Sequence, residues 1–256
     1  MGTPVVLVHG IWGTWESWLP VIDLPLDSFD GRPLWLIDLR GHGESSKPPS
    51  GYGLKDYAAD LCALIEASGS PRVILCGHSL GALTSLAAAR RMPARIEALI
   101  LEEPPLPIPT DVSSLDGFWA LFAEAVVGLF LLKHQPLDVI ASELMARDAD
   151  LTQTEAEDAA QSIANTADGV FTAIINGDFG GEGLTEGEVL SIPAMIFQGA
   201  LLDQRGLSNE GVALLQATLP ESRVVVLPET GHSVHSANPE GFSLAIQSFL
   251  RQVTPG

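Results

Sequence analysis

Residues 73–92 read "VILCGHSLGALTSLAAARRM". A short apolar run ends at Cys76, Gly77-His78-Ser79-Leu80-Gly81 follows, and an alanine- and leucine-rich stretch with helical spacing comes next. A serine between two glycines, where a buried strand becomes a helix, reads as a nucleophile elbow. In such a turn the serine stands at the tip, its hydroxyl exposed and its backbone strained toward positive φ. The glycines let the helix pack close against the strand. The N–H groups of the first helical turn then point at the serine oxygen, where negative charge would develop. The five-residue pattern alone is weak, and its position between strand and helix gives it weight.

Outward from this turn, short apolar runs at 4–8, 33–37, 72–76, 96–101, 193–197 and 223–227 read as strands buried on both faces of a parallel sheet. Stretches with helical spacing lie between them, at 54–69, 83–92, 210–219 and 239–253. That alternation predicts an α/β fold with a doubly wound sheet. The rhythm breaks between 104 and 191, where helical patterns at 117–133, 137–147, 154–165 and 169–176 follow one another without a strand. A glycine- and acid-rich return, "GDFGGEGLTEGEVL" (177–190), closes the interval. The expected organisation is a core of 1–103 and 192–256 with a helical cap inserted at 104–191. "EEPPLPIP" (102–109) makes a stiff exit into the cap, because proline fixes φ.

The chain has 256 residues, enough for one α/β domain with a sizeable core. With 46% hydrophobic residues it is globular rather than disordered. Its net charge of −19 argues against nucleic acid and anionic membranes as partners and fits a solubilising acidic surface. The two cysteines, Cys62 and Cys76, fall in apolar runs and read as small core residues rather than a bridge. No zinc-type Cys/His spacing occurs. The first residues read as a strand rather than a leader, and Val6 stands where a myristoylation signal needs Ser or Thr. A cytoplasmic location is the expectation.

A serine hydroxyl needs a base within hydrogen-bonding reach. His232 lies in "LPETGHSVHSANPEGF" (227–242), after the last strand and before the last helix, so it emerges at the sheet edge that carries Ser79. His235 is the rival. The imidazole in turn needs a carboxylate. Glu102 and Glu103 directly follow the strand "IEALIL", and Asp203 follows "IPAMIFQG" in the looser "ALLDQRG". The expected oxyanion donors are the backbone N–H groups of Leu80 and of Ile11 in the turn after "VVLVHG", with Trp12 a lesser candidate. Asp38 and Arg40, in "DLRGHGES" (38–45), read as anchors of their own loop.

These motifs resemble those of the α/β-hydrolase fold family. His9-Gly10, Asp38 to Ser45, Gly77 to Gly81 and Gly231-His232 run in the family's order, and the helical interval falls where the family places its cap. The resemblance implies a Ser–acid–His triad acting on an ester, lactone, amide, thioester or carbon–carbon bond, without metal or organic cofactor. There are two departures. The strand before His9-Gly10 begins at Pro4, so no antiparallel hairpin leads into it. Asp203 also stands four residues after Gly199 rather than three. Glu103, before Pro104-Pro105, resembles the acid of relatives that place it on the earlier strand. Glu103 is therefore favoured narrowly over Asp203, with Glu102 still open.

Phe118, Trp119, Phe122, Phe130 and Leu132 are the expected apolar roof, with Trp12 at the pocket entrance. The leading expectation is a serine hydrolase of a small hydrophobic ester or lactone. The alternatives are a carbon–carbon bond hydrolase, a cofactor-free perhydrolase or lyase, and a small-molecule receptor with a vestigial triad.

Overall fold

A computed structural model describes residues 2–108, 117–148, 151–177, 184 and 187–253. Its centre is a six-stranded sheet in the order β2-β1-β3-β4-β5-β6. The strands are β1 (Val5–Val8), β2 (Leu34–Ile37), β3 (Val73–His78), β4 (Ile96–Glu102), β5 (Ala194–Gly199) and β6 (Ser222–Leu227), and every pairing is parallel. A parallel sheet needs helices on both faces. They are α1 (Leu19–Ile22), α2 (Leu54–Ala67), α3 (Leu80–Arg91), α8 (Asn209–Thr218), α9 (Val234–Ala237) and α10 (Pro239–Val253). Between β4 and β5 run α4 (Gly117–Leu132), α5 (Leu137–Arg147), α6 (Gln153–Asn165) and α7 (Asp168–Ile175).

Side chains alternate across the strands and so divide the core in two. Val6, Val8, Leu75, Leu99 and Leu101 pack beneath α2 and α3. Val5, Leu7, Ile74, Ile100 and Phe197 pack with Trp18 and with Phe242, Ile246 and Phe249 of α10. The α10 residues recur at helical spacing and turn one apolar stripe inward. Central strands β1 and β3 are buried throughout. The expectation of burial on both faces fails at the edges. β2 is only partly buried and β6 has exposed positions, because each has a neighbour on one side only.

Of the segment between β4 and β5, residues 109–116, 149–150, 178–183 and 185–186 lie outside the described part, including much of the expected return at 177–190 and the end of the 102–109 exit. α6 begins with a reciprocal cap: Thr152 Oγ1 accepts from the Glu155 N–H, and the Glu155 carboxylate accepts from the Thr152 N–H at 2.9 Å. The segment has its own apolar cluster of Val126, Leu129, Ile163 and Phe171, against which Phe130 and Leu132 pack. No helix among the described residues is long and apolar enough to cross a membrane.

Candidate active site

Sheet order reverses between β1 and β3, and loops leaving the carboxyl ends of those strands open a crevice there. Ser79 stands at that point. Its φ of 51° and ψ of −113° are the strained geometry expected of an elbow, and α3 starts at the next residue. Close packing explains Gly81: a Cβ there would lie 2.0 Å from the Val8 carbonyl oxygen, so any side chain would drive α3 off β1. His78 pairs with Glu102 in the β3–β4 ladder, and Ser79 and Glu103 therefore leave adjacent strands side by side.

His232 spans the gap between them. Its Nε2 is 2.9 Å from Ser79 Oγ, and its Nδ1 is 3.2 Å from Glu103 Oε2. Glu103 is fully buried and has a φ of 48°. Its carboxylate accepts three backbone N–H groups: Gly199 on Oε1 at 2.6 Å, and Gly206 and Leu207 on Oε2 at 2.6 and 3.0 Å. The loop after β5 thus supplies donors to the carboxylate instead of supplying a carboxylate. Asp203, in that loop, is exposed. The other two candidates for acid and base, Glu102 and His235, are paired with each other on the opposite face of the sheet.

Ile11 and Leu80 both line the cavity over Ser79, with Pro105, Phe118, Trp119 and Phe122. The cavity has an empty volume of about 260 Å³, open solvent at its mouth included. Pro105 had no signal as a lining residue beyond its place in the exit segment. Trp12, expected at the entrance, does not line the cavity. Its ring is stacked between Phe122 and Phe171, each with centroids 5.8 Å away, and its carbonyl accepts a hydrogen bond from Ser162 of α6. Phe130 and Leu132 pack within the helical segment rather than over Ser79. α4 is apolar nearly all round, so its sequence does not reveal which side faces the serine.

Neighbouring loops are held by buried neutral histidines. His9 accepts from the Leu39 N–H at 2.9 Å, and burial pushes its imidazole down to about 4. Burial, with nearby His9 adding, pushes His42 to about 3. Burial likewise holds His78 at about 3, against the opposing pull of Glu102. Asp38 accepts from the Trp15 and Glu44 N–H groups at 2.8 and 2.9 Å, and Arg40 pairs with Asp60, so both anchor their loop as expected. Cys76 is buried and Cys62 partly buried, and neither is in a disulfide. Among the described residues, no group of three or more His, Cys, Asp or Glu side chains is placed to hold a metal ion.

A sequence model of the alpha/beta hydrolase fold family matches residues 3–239. The chain belongs to the α/β-hydrolase family. It is similar to a 2-(acetamidomethylene)succinate hydrolase of Mesorhizobium japonicum, 27% identical over 97% of this chain and 88% of the relative. It is likewise similar to a putative carbamate hydrolase of Klebsiella pneumoniae, 27% identical over 99% and 94%. Among solved structures, an esterase from a marine microorganism superposes with a TM-score of 0.77 at 22% identity, covering 98% of this chain and 96% of that one. An epoxide hydrolase of Bacillus megaterium gives 0.76 at 20%, covering 98% and 94%, and at such identities the likeness is one of fold. This α/β-hydrolase is accordingly an enzyme of the hydrolase class.

Proposed function

We propose that this α/β-hydrolase cleaves small, uncharged, hydrophobic esters or lactones through Ser79, His232 and Glu103. The observation that carries the reading is the unbroken chain of contacts from Ser79 Oγ through both ring nitrogens of His232 to the buried Glu103 carboxylate. Ser79 Oγ attacks the carbonyl carbon while His232 Nε2 takes its proton. Glu103 keeps the ring in the tautomer with hydrogen on Nδ1 and stabilises the imidazolium that forms. The N–H groups of Ile11 and Leu80 receive the negative oxygen. His232 then returns the proton to the departing alkoxide. Water, deprotonated by the same ring, releases the acid from the serine.

Among the described lining residues other than Ser79 are Ile, Leu, Pro, Phe and Trp, and no Lys or Arg. A substrate carboxylate such as a succinate carries would meet no counter-charge there, and its desolvation would be uncompensated. The preferred acyl group is therefore neutral. The helical segment acts as a cap: Phe118, Trp119 and Phe122 close over the acyl chain and keep out bulk water.

A fluorophosphonate probe should label the native enzyme at Ser79, and p-nitrophenyl esters of short to medium acyl chains should be hydrolysed. Ser79→Ala should lower turnover about 10³-fold or more, since such residues act as a unit. Absence of labelling, or near-parent turnover by purified Ser79→Ala, would overturn the reading.

A further inference from the structure

Glu102 and Glu103 are consecutive, both fully buried, and face opposite sides of β4. Glu103 belongs to the site described above. Glu102 meets His235. Its Oε1 accepts from the His235 backbone N–H at 2.8 Å, and its two oxygens lie 2.9 and 2.8 Å from His235 Nδ1. His235 Nε2 lies 3.0 Å from the Ser17 carbonyl oxygen. Both ring nitrogens thus face acceptors only, an arrangement satisfied when both carry hydrogen. The titratable groups facing the ring are Glu102 from β4 and neutral His78 from the elbow, the latter with centroids 5.1 Å away. Trp18 at 4.7 Å and Phe242 at 6.1 Å complete the enclosure. Burial would raise the Glu102 carboxyl, but the contacts with His235 more than offset it and hold the group below its ordinary value. An isolated carboxylate in this setting would be very costly, and a paired one is tolerable.

The position of the pair shows what it can do. His235 lies in α9, three residues after His232. The strand end therefore grips the loop twice: residue 102 holds residue 235, and residue 103 holds residue 232. A third hold comes from His78, whose Nε2–H donates to the His232 carbonyl oxygen at 2.9 Å. The backbone of His232 is thus fixed on both sides of its ring.

We infer that Glu102 and His235 are a second acid–histidine pair, outside the reaction, that holds the His232 backbone in the pose from which its ring reaches Ser79. Both are positioning residues, and the inference rests on the roles given above to Ser79, His232 and Glu103. A pair that served stability alone would change the melting temperature and leave the chemistry of folded protein untouched. A positioning pair slows every reaction that uses the Ser79–His232 contact, whatever the substrate.

Two measurements test this. In the parent, nitrogen–proton correlation of the histidine rings should show two Nδ1 hydrogens bonded to carboxylates, one of His232 with Glu103 and one of His235 with Glu102. The second measurement compares Glu102→Gln, His235→Gln and the double variant at a temperature where circular dichroism shows them folded. Phosphonate labelling of Ser79 and kcat should each fall about 10- to 100-fold, the cost of a misplacement of about 1 Å. KM should hold within about threefold, and the double variant should be no worse than the worse single, as expected of a coupled pair. The double variant exchanges the ion pair for two neutral amides and is the most tolerant of burial. If it is folded and labels at the parent rate, the inference is wrong. If none of the variants folds, the ring spectrum decides, and the absence of the second carboxylate-bonded Nδ1 hydrogen overturns the inference. Failure of the parent itself to label would instead overturn the roles of Ser79 and His232, leaving the ring spectrum of the pair as it was.

Discussion

Replacing Glu103 by glutamine keeps the shape of the side chain and removes one charge. The carboxylate accepts from Gly199 on one oxygen and from Gly206, Leu207 and His232 on the other. A glutamine amide can satisfy only one side. With its oxygen toward His232, its NH₂ confronts the Gly199 N–H; turned over, it confronts two N–H groups and would reverse the His232 tautomer. The first orientation costs less and preserves the tautomer, so the main catalytic loss is electrostatic. Opposite charges about 4 Å apart attract by about 4 kcal/mol at an effective dielectric constant near 20. Exposure of the His232 side chain, 27%, weakens this somewhat. The expected drop in kcat/KM is therefore about 10²- to 10³-fold, at about 1.4 kcal/mol per decade. This is smaller than the roughly 10⁴-fold loss of the Asp-to-Asn serine protease variant, where the tautomer is wrong. The unsatisfied Gly199 N–H should also lower stability by about 1–3 kcal/mol. Asp203→Asn, at an exposed position, should stay within about tenfold of the parent, an allowance set by the small effects typical of surface changes. The assay is kcat/KM on one p-nitrophenyl ester for both variants, with denaturant melts. An inactive Asp203→Asn beside an active Glu103→Gln would refute the reasoning.

Three further outcomes are expected. Gly81→Ala puts a methyl group 2.0 Å from the Val8 carbonyl oxygen, so soluble yield or thermal melting should show a loss of several kcal/mol, about the upper end for single changes. His9, His42 and His78 are held at about 4, 3 and 3, below the ordinary 6.5, so the unfolded chain binds more protons once pH falls below about 6.5. Their contribution to stability is complete above about pH 7 and is lost on acidification, with uptake of about three protons on unfolding at pH 5; denaturant titrations that give equal stability at pH 5 and 7 would contradict it. Trp119→Ala enlarges the cavity over Ser79, and the ratio of kcat/KM for octanoyl over acetyl p-nitrophenyl ester should rise about tenfold, each buried CH₂ being worth about 0.8 kcal/mol and only some of the chain gaining contact.

The sheet was readable from the chain because buried parallel strands leave continuous apolar runs, and observed strand ends fall within a few residues of those expected. Ser79 and His232 were readable for a related reason: turn chemistry and strand exits place them on one edge. Glu103 was legible only narrowly over Asp203, since choosing between Glu102 and Glu103 depends on which way the strand end turns, and adjacent residues face opposite sides. The positive φ of Glu103, which swings the chain out of the sheet, has no signature in "EEPP". Trp12 misled because an aromatic ring after a glycine turn fits a pocket wall and a packing sandwich equally well. The pairing of Glu102 with His235 has no sequence signal, because the two stand 133 residues apart and each also fits a place beside Ser79.

The cradle around Glu103 also bears on which substitutions this enzyme can tolerate. Its three donors are main-chain groups, present with any side chain but proline, so the exposed positions 201–204 of the loop after β5 can vary in charge and size without unseating Glu103. The exception is hidden in the residue that looks least chemical. A methyl group on Gly206 would stand 2.9 Å from His232 Cε1 and 3.1 Å from Phe118 Cζ, between the histidine ring and the wall of the cavity over Ser79. Genetic damage to this site should therefore be concentrated at a glycine as much as at its acid, and a survey of natural variants that scores only charged positions would overlook it.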